Sequence, residues 1–160
     1  MAKLRFSACH LIPGHSRCGR LHGHTYAVSV HLEGEKREED GFILDFFELK
    51  EAVLEICGRL DHRVIIAGRD PKLEIQQKGE SLEVKVLGEK TYLLPLDDVV
   101  MLPIPSASAE DLCSYFITEL VDRLDLEERG NLWSLEVRLD EGVGQGAGCR
   151  FDFGGGSFEK

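Results

Sequence analysis

The sequence predicts an α+β chain: a four-stranded antiparallel sheet covered on one face by two helices, with an inserted β-hairpin. Three observations predict it. Apolar residues alternate with polar ones over Leu4–His10, His22–Glu33 and Trp133–Glu141, the period of half-buried strands. They recur at helical spacing over Phe46–Leu60 and again from Leu112 to Leu124. The order is strand, strand, helix, hairpin, helix, strand, strand, with no internal repeat and no low-complexity segment.

In the first strand Leu4, Phe6, Ala8 and His10 share a face, so His10 falls among the apolar residues. In the second, His22, His24, Tyr26, Val28, Val30 and Leu32 share a face, and His31 points the other way. Gly34–Gly41 is charged and turn-like. Asp45 with Glu48 three residues on is a capping box that opens a helix over Phe46–Leu60, whose stripe is Phe46, Leu49, Val53, Ile56 and Leu60. Residues 68–104 read as an insertion. Within it, Leu82–Leu87 and Thr91–Leu96 can pair as a hairpin around Gly88, expected either near a subunit interface or over the mouth of the site, or else as a peripheral decoration.

Ser108 and Asp111 cap the second helix, with Leu112, Phe116, Leu120 and Leu124 as its stripe. Trp133, Leu135, Val137, Leu139 and Glu141 share a face of the next strand, so a carboxylate stands where an apolar residue is expected. Gly142–Gly148 reads as a glycine-rich turn. Cys149, Phe151 and Phe153 form the inner face of a closing strand.

The chain of 160 residues suits one domain with a real core. A net charge of −10 argues against a nucleic-acid binder, which would present a basic face. It also requires any site for a phosphorylated substrate to be locally basic. No apolar run approaches the roughly 20 residues of a membrane span. The opening Met1–Ser7 lacks the apolar stretch of a signal peptide. These features predict a cytoplasmic protein without a membrane partner. The five cysteines are odd in number and form no CxxC pair, so a disulfide framework or a cysteine zinc finger is not expected. Cys57 and Cys113 fall in helical patterns and read as core thiols.

The chemistry concentrates in the histidines. His22 and His24, two apart on a strand, point the same way and can bind one metal, with His10 on the neighbouring strand as the third ligand. Three neutral imidazoles suit zinc and leave a coordination position open for water or substrate. Cys18, four residues before His22 in a Gly/Arg segment, is either a base with a lowered pKa or an inert loop thiol. Cys9 has the opposite strand parity to His10. Asp61-His62 is either an acid/base pair or a helix C-terminal histidine facing the dipole. Glu141 needs a partner if buried: a planar ligand with two N–H donors, or a salt bridge to an arginine such as Arg150.

Phe6-Ser-Ala-Cys-His10, Cys18-Gly-Arg-Leu-His22-Gly-His24-Thr-Tyr26, Leu44-Asp-Phe46, Leu60-Asp-His62, Ser108-Ala-Glu110 and Glu141 together resemble the 6-pyruvoyltetrahydropterin synthase / 6-carboxytetrahydropterin synthase family. The resemblance covers nearly the whole chain outside the insertion. It implies the tunnelling fold, and small subunits assembled as a barrel, usually a hexamer, with active sites between subunits. It implies zinc on His10, His22 and His24, Cys18 as general base, and Asp61 and His62 completing a relay. Glu141 would anchor the pterin's guanidine-like edge, with Ser108 nearby in place of the usual threonine. The short gap between Cys18 and His22 is similar to the 6-carboxytetrahydropterin synthases of queuosine synthesis. That similarity implies a carbon–carbon lyase that turns 7,8-dihydroneopterin triphosphate into 6-carboxy-5,6,7,8-tetrahydropterin, acetaldehyde and triphosphate. A 6-pyruvoyl synthase, which stops at triphosphate elimination, is the nearest alternative. A zinc- and pterin-binding protein without turnover, or a zinc hydrolase, is a more distant one. The sequence departs from the family pattern at Ala109, at Gly142 and in the long glycine-rich stretch.

Overall fold

The computed structural model describes residues 4–154. Residues 1–3 of the opening stretch read for a leader lie outside them. β1 (Arg5–His10) pairs antiparallel with β2 (His22–Gly34), in a register that sets His10 opposite His22 and Ala8 opposite His24. The alternation holds. Phe6, Ala8 and His10 are buried, as are Tyr26 and Val28 of β2. Phe6 stacks on Tyr26 at 4.7 Å between ring centroids, beneath Phe116 at 5.9 Å.

α1 (Phe46–Leu60) begins where the Asp45 carboxylate accepts the Phe47 N–H at 2.8 Å. Glu48 does not close the expected box; it pairs with Arg129 instead. The strands β3 (Arg63–Ala67) and β7 (Val99–Leu102) run parallel to each other, and β3 runs parallel to β1. Between them lies a separate antiparallel sheet of β4 (Leu73–Lys78), β5 (Ser81–Val86) and β6 (Lys90–Pro95). α2 (Ala109–Arg123) is capped by Ser108, whose hydroxyl accepts the Asp111 N–H at 3.3 Å. β8 (Leu132–Gly142) and β9 (Gln145–Asp152) complete the main sheet.

The main sheet therefore has six strands, in the order β7-β3-β1-β2-β8-β9, and is mixed, where four antiparallel strands were expected. The four antiparallel strands are its β1-β2-β8-β9 portion. The two parallel strands escape an alternation test because Val64–Ala67 and Val99–Leu102 are unbroken apolar runs, as strands of parallel pairing tend to be. β3 feeds two cores. Ile65 and Ala67 join the main one under the helices, and Ile66 joins a second one with Leu11, Leu82, Val84 and Val86. The expected hairpin exists as β5 and β6 but carries a third strand, β4, whose Leu73 and Ile75 alternate over too short a span to stand out.

The glycine-rich turn is also shorter than expected. Only Val143 and Gly144 bridge the strands, with Gly144 at φ +76°, and β9 already begins at Gln145. Gly146 is a strand residue, and glycine suits it because the Asp140 side chain and the Leu139 carbonyl lie 2.4 and 2.5 Å from where a Cβ would stand. Both helices cover the face that carries Phe6, Tyr26, Leu135, Val137 and Leu139. Cys57 and Cys113 sit in that core, and burial pushes each thiol up to about 12. Among the described residues no helix is long and apolar enough to cross a membrane.

Candidate metal centre and active site

Strand parity and register bring three imidazoles together. His10, His22 and His24 each offer a ring nitrogen, and these atoms lie within 4.8 Å of one another. The rings stand 4.5 to 5.2 Å apart between centroids, above the Tyr26 ring. Two backbone carbonyls fix their orientation. His10 Nδ1 lies 2.6 Å from the Ala107 oxygen, and His22 Nδ1 lies 2.7 Å from the Arg20 oxygen. A carbonyl can only accept, so each Nδ1 carries a proton, and in the neutral ring the lone pair is left on Nε2. Such outer contacts commonly orient metal-binding histidines.

His10 tests whether the residues fit a metal. Its ring is 2% exposed, and its Nε2 is buried without a hydrogen-bond partner. Burial lowers its pKa, against a smaller opposing effect of the Ala107 carbonyl, and so keeps it in the neutral form that binds metals. A buried lone pair without a donor is costly unless something else fills the role. A metal ion does so, and three imidazoles are a suitable donor set for a transition metal such as zinc.

Glu141 closes the other side. Its carboxylate oxygens lie 4.0 Å from His10 Nε2 and 4.0 Å from His24 Nε2, with 21% of the side chain exposed. The salt bridge to Arg150 that the sequence left open is absent. Arg150 pairs with Asp152 at 2.8 Å and with Glu33 at 3.0 Å, because its strand parity turns it to the opposite face. The Glu141 charge adds to burial in raising the pKa of the nearby Tyr26 phenol.

A cavity of about 380 Å³ gathers His10, His22, Glu141, Cys18 and Ser108. The loop between β1 and β2 brings Cys18 there by folding on itself. Ile12 N–H donates to the Cys18 carbonyl at 2.7 Å, and Cys18 N–H donates to His15 Nδ1 at 3.0 Å. Sequence reasoning missed His15, which also lines this cavity. Its signal was available as a histidine three residues before the thiol. It also missed the Ala107 and Arg20 carbonyls, which no side-chain pattern could reveal.

Asp61 and His62 lie elsewhere. They follow the C-terminus of α1, where Asp61 accepts the Ser7 N–H at 2.7 Å and pairs with His62 Nδ1 at 2.8 Å. The Ser7 N–H, with a further contribution from His62, holds the Asp61 carboxyl below its ordinary range. His62 stands at φ +58° with its side chain 83% exposed. It lines a second hollow of about 570 Å³ with Cys9, His24, Thr25 and Arg63. That hollow opens on the face presented by Ser7 and Thr25, whose hydroxyls are 3.0 Å apart. The cavity that holds Cys18 includes neither Asp61 nor His62. Within one chain the thiol and the Asp–His pair are therefore apart, and His24 borders the Asp–His side.

Comparison with known proteins agrees with this architecture. The family model for 6-pyruvoyl tetrahydropterin synthase matches residues 1–151. A Methanocaldococcus jannaschii protein provisionally named a 6-carboxy-5,6,7,8-tetrahydropterin synthase is 42% identical over 146 residues, covering 91% of this chain and 89% of that one. The 6-carboxy-5,6,7,8-tetrahydropterin synthase of Aquifex aeolicus is 30% identical over 122 residues, covering 76% and 67%. The crystal structure of 6-pyruvoyl tetrahydropterin synthase from Plasmodium vivax superposes with a TM-score of 0.85 at 30% identity, over 93% of this chain and 92% of that one. The fold is the tunnelling fold of these enzymes. Likeness of that breadth, in sequence as well as in backbone, means that the chain belongs to the 6-pyruvoyl tetrahydropterin synthase family.

Proposed function

We propose that this protein is a zinc-dependent carbon–carbon lyase of the cytoplasm, acting on 7,8-dihydroneopterin triphosphate. The products are 6-carboxy-5,6,7,8-tetrahydropterin, acetaldehyde and triphosphate, on a route to queuosine-type 7-deazaguanines. The observation that carries the reading is the orphaned His10 Nε2, within 4.8 Å of ring nitrogens of His22 and His24 and 4.0 Å from the Glu141 carboxylate. The names of the Methanocaldococcus and Aquifex relatives support the carboxy product over the pyruvoyl one.

The chemistry balances without a redox cofactor. Loss of triphosphate and tautomerisation leave two adjacent carbonyl carbons on the side chain, while the ring becomes tetrahydro. Hydrolytic cleavage between those carbons takes up one water and yields the carboxylate and acetaldehyde. Zinc held by His10, His22 and His24 would supply Lewis-acid polarisation of the side-chain oxygens, acidifying the neighbouring C–H bonds. Cys18 takes and returns those protons from its place in the same cavity. Glu141 holds the planar guanidine-like edge of the pterin through paired, charge-assisted hydrogen bonds. Ser108 accepts the Asp111 N–H at the helix cap with one lone pair, which leaves its O–H to donate to the ligand.

Asp61 and His62 complete the relay from a neighbouring subunit, in a homo-oligomer (a hexamer by family likeness) whose sites lie between chains. The separation of His62 from Cys18 within one chain supports that arrangement. The reading is tested by incubating the zinc-loaded protein with dihydroneopterin triphosphate and identifying products by mass spectrometry. Equal amounts of acetaldehyde and the 6-carboxy pterin are expected. A 6-pyruvoyl product without acetaldehyde would assign the alternative activity.

A further inference from the structure

The loop that carries Cys18 is gripped from outside by the three-stranded sheet. Leu11 at its start is 4% exposed and packs in the second core with Leu82, Val84 and Val86; Leu21 at its end packs against the same cluster. Between those anchors, polar contacts tie its backbone to the sheet. Lys90 Nζ donates to the Gly19 carbonyl at 2.7 Å, and the Tyr92 phenol oxygen accepts the Leu21 N–H at 3.4 Å. Lys72 Nζ, just before β4, donates to the Pro13 carbonyl at 3.2 Å. Lys90 also lies 5.3 Å from the Tyr92 ring centroid, a cation–π distance that holds the two together. Gly19 is the residue after Cys18, and a Cβ there would come within 2.4 Å of the His15 carbonyl, so the loop is wound tightly at this point.

We propose that the β4–β5–β6 sheet is a clamp on the β1–β2 loop that fixes the Cys18 thiol against the histidine cluster, with Lys90 and Tyr92 as positioning residues for catalysis. This rests on the reading of Cys18 as the base. The reason is geometric. The eleven-residue connection from Leu11 to Leu21, which carries the thiol, has no strand or helix of its own to hold it. Its internal bonds shape the turn, the Arg20 carbonyl meets His22 at its end, and the β4–β5–β6 unit with Lys72 just before it ties it down at Pro13, Gly19 and Leu21. Proton transfer demands placement within hydrogen-bond reach, and an error of about 1 Å can cost about 100-fold in rate.

The test uses the full-length zinc-loaded protein. Lys90→Met removes the donor to Gly19, Tyr92→Phe removes the acceptor for Leu21, and Lys90→Arg restores a cationic donor. Four quantities are compared: kcat, KM, zinc content, and amide hydrogen exchange over residues 11–21. The proposal expects Lys90→Met to lower kcat by about tenfold or more, within the range set by small misplacements. KM and zinc content should stay near those of the parent, exchange in the loop should accelerate, and Lys90→Arg should recover most of the lost rate. A Lys90→Met/Tyr92→Phe variant with parental kcat and parental loop exchange overturns the clamp. Cys18→Ala separates the two possible failures. If it retains turnover, the assignment of the base is wrong and the clamp's catalytic role falls with it. If it is inactive while the clamp variants are unaffected, the base stands and the clamp alone is wrong.

Discussion

Three histidine side chains decide what this protein can bind. Their ring nitrogens converge within 4.8 Å, and two carbonyls hold both His10 and His22 with Nε2 as the free lone pair. About one zinc per chain is therefore expected by elemental analysis, as for a three-histidine catalytic site. A His22→Ala/His24→Ala variant should lose it, and full retention of zinc would remove the assignment. Glu141 allows a sharper test, because it stands 4.0 Å from two of the ligand nitrogens. Glu141→Gln keeps the shape but turns one acceptor into a donor that opposes a pterin N–H. Calorimetric titration with a pterin analogue should show a loss of about 1.5–3 kcal/mol, the worth of a charged hydrogen bond, with zinc unchanged. Equal affinities would mean that the pterin is held elsewhere. Loss of zinc would make Glu141 a metal ligand.

At the scale of elements, the same residues depend on the pairing of β8 with β9. Gly142 pairs with Gln145 across the two-residue turn, and Glu141 stands just before it, so the geometry of this hairpin tip places the carboxylate. Gly146 is where the pairing is tightest. Gly146→Ala should destabilise the fold by about 1–3 kcal/mol, the usual cost of overpacking, read as a lower midpoint in denaturant. Gly148→Ala is the control, because its nearest contact would be an ordinary 3.7 Å to the Val137 carbonyl. If both variants unfold alike, backbone freedom and not contact explains the glycines. The first helix was legible at Phe46–Leu60 from its Asp45 cap and from Val53, Ile56 and Leu60 of its stripe, although Phe46, expected in that stripe, is 83% exposed and Glu48 pairs with Arg129 instead of closing the box. β3 and β7 were not, because continuous apolar runs carry no period.

At the scale of the whole molecule, one chain does not assemble the proposed catalytic set. Cys18 and Ser108 share a cavity with His10 and His22, and His62 lines another hollow with His24. The proposed sharing of active sites between subunits makes a definite expectation. Cys18→Ala and His62→Ala should each lose about 10²–10⁴-fold in turnover, the usual cost of losing a general acid or base. Hybrids formed by dissociating, mixing and reassociating the two variants should regain part of it, because some interfaces then unite an intact thiol with an intact Asp–His pair. Hybrids as inactive as their parents would place the relay within one chain or exclude one of its members.

The sequence by itself determined the strands that carry His10, His22, His24 and Glu141, and both helices with their caps. Period and capping are local properties, readable within a few turns or pleats. The histidine cluster was legible for the same reason: parity puts each ring on the apolar-facing side of its strand, and the pairing of β1 with β2 then sets His10 opposite His22. Tertiary structure decided what joins across long separations. It added β3 and β7 to the sheet, turned Arg150 away from Glu141, and set the Ala107 carbonyl against His10 from 97 positions along the chain. It also laid Lys90 over the Gly19 carbonyl, 71 residues away, and parted His62 from Cys18. No local pattern encodes such contacts, because each depends on where two distant elements dock, and that is chosen by burial of the whole core.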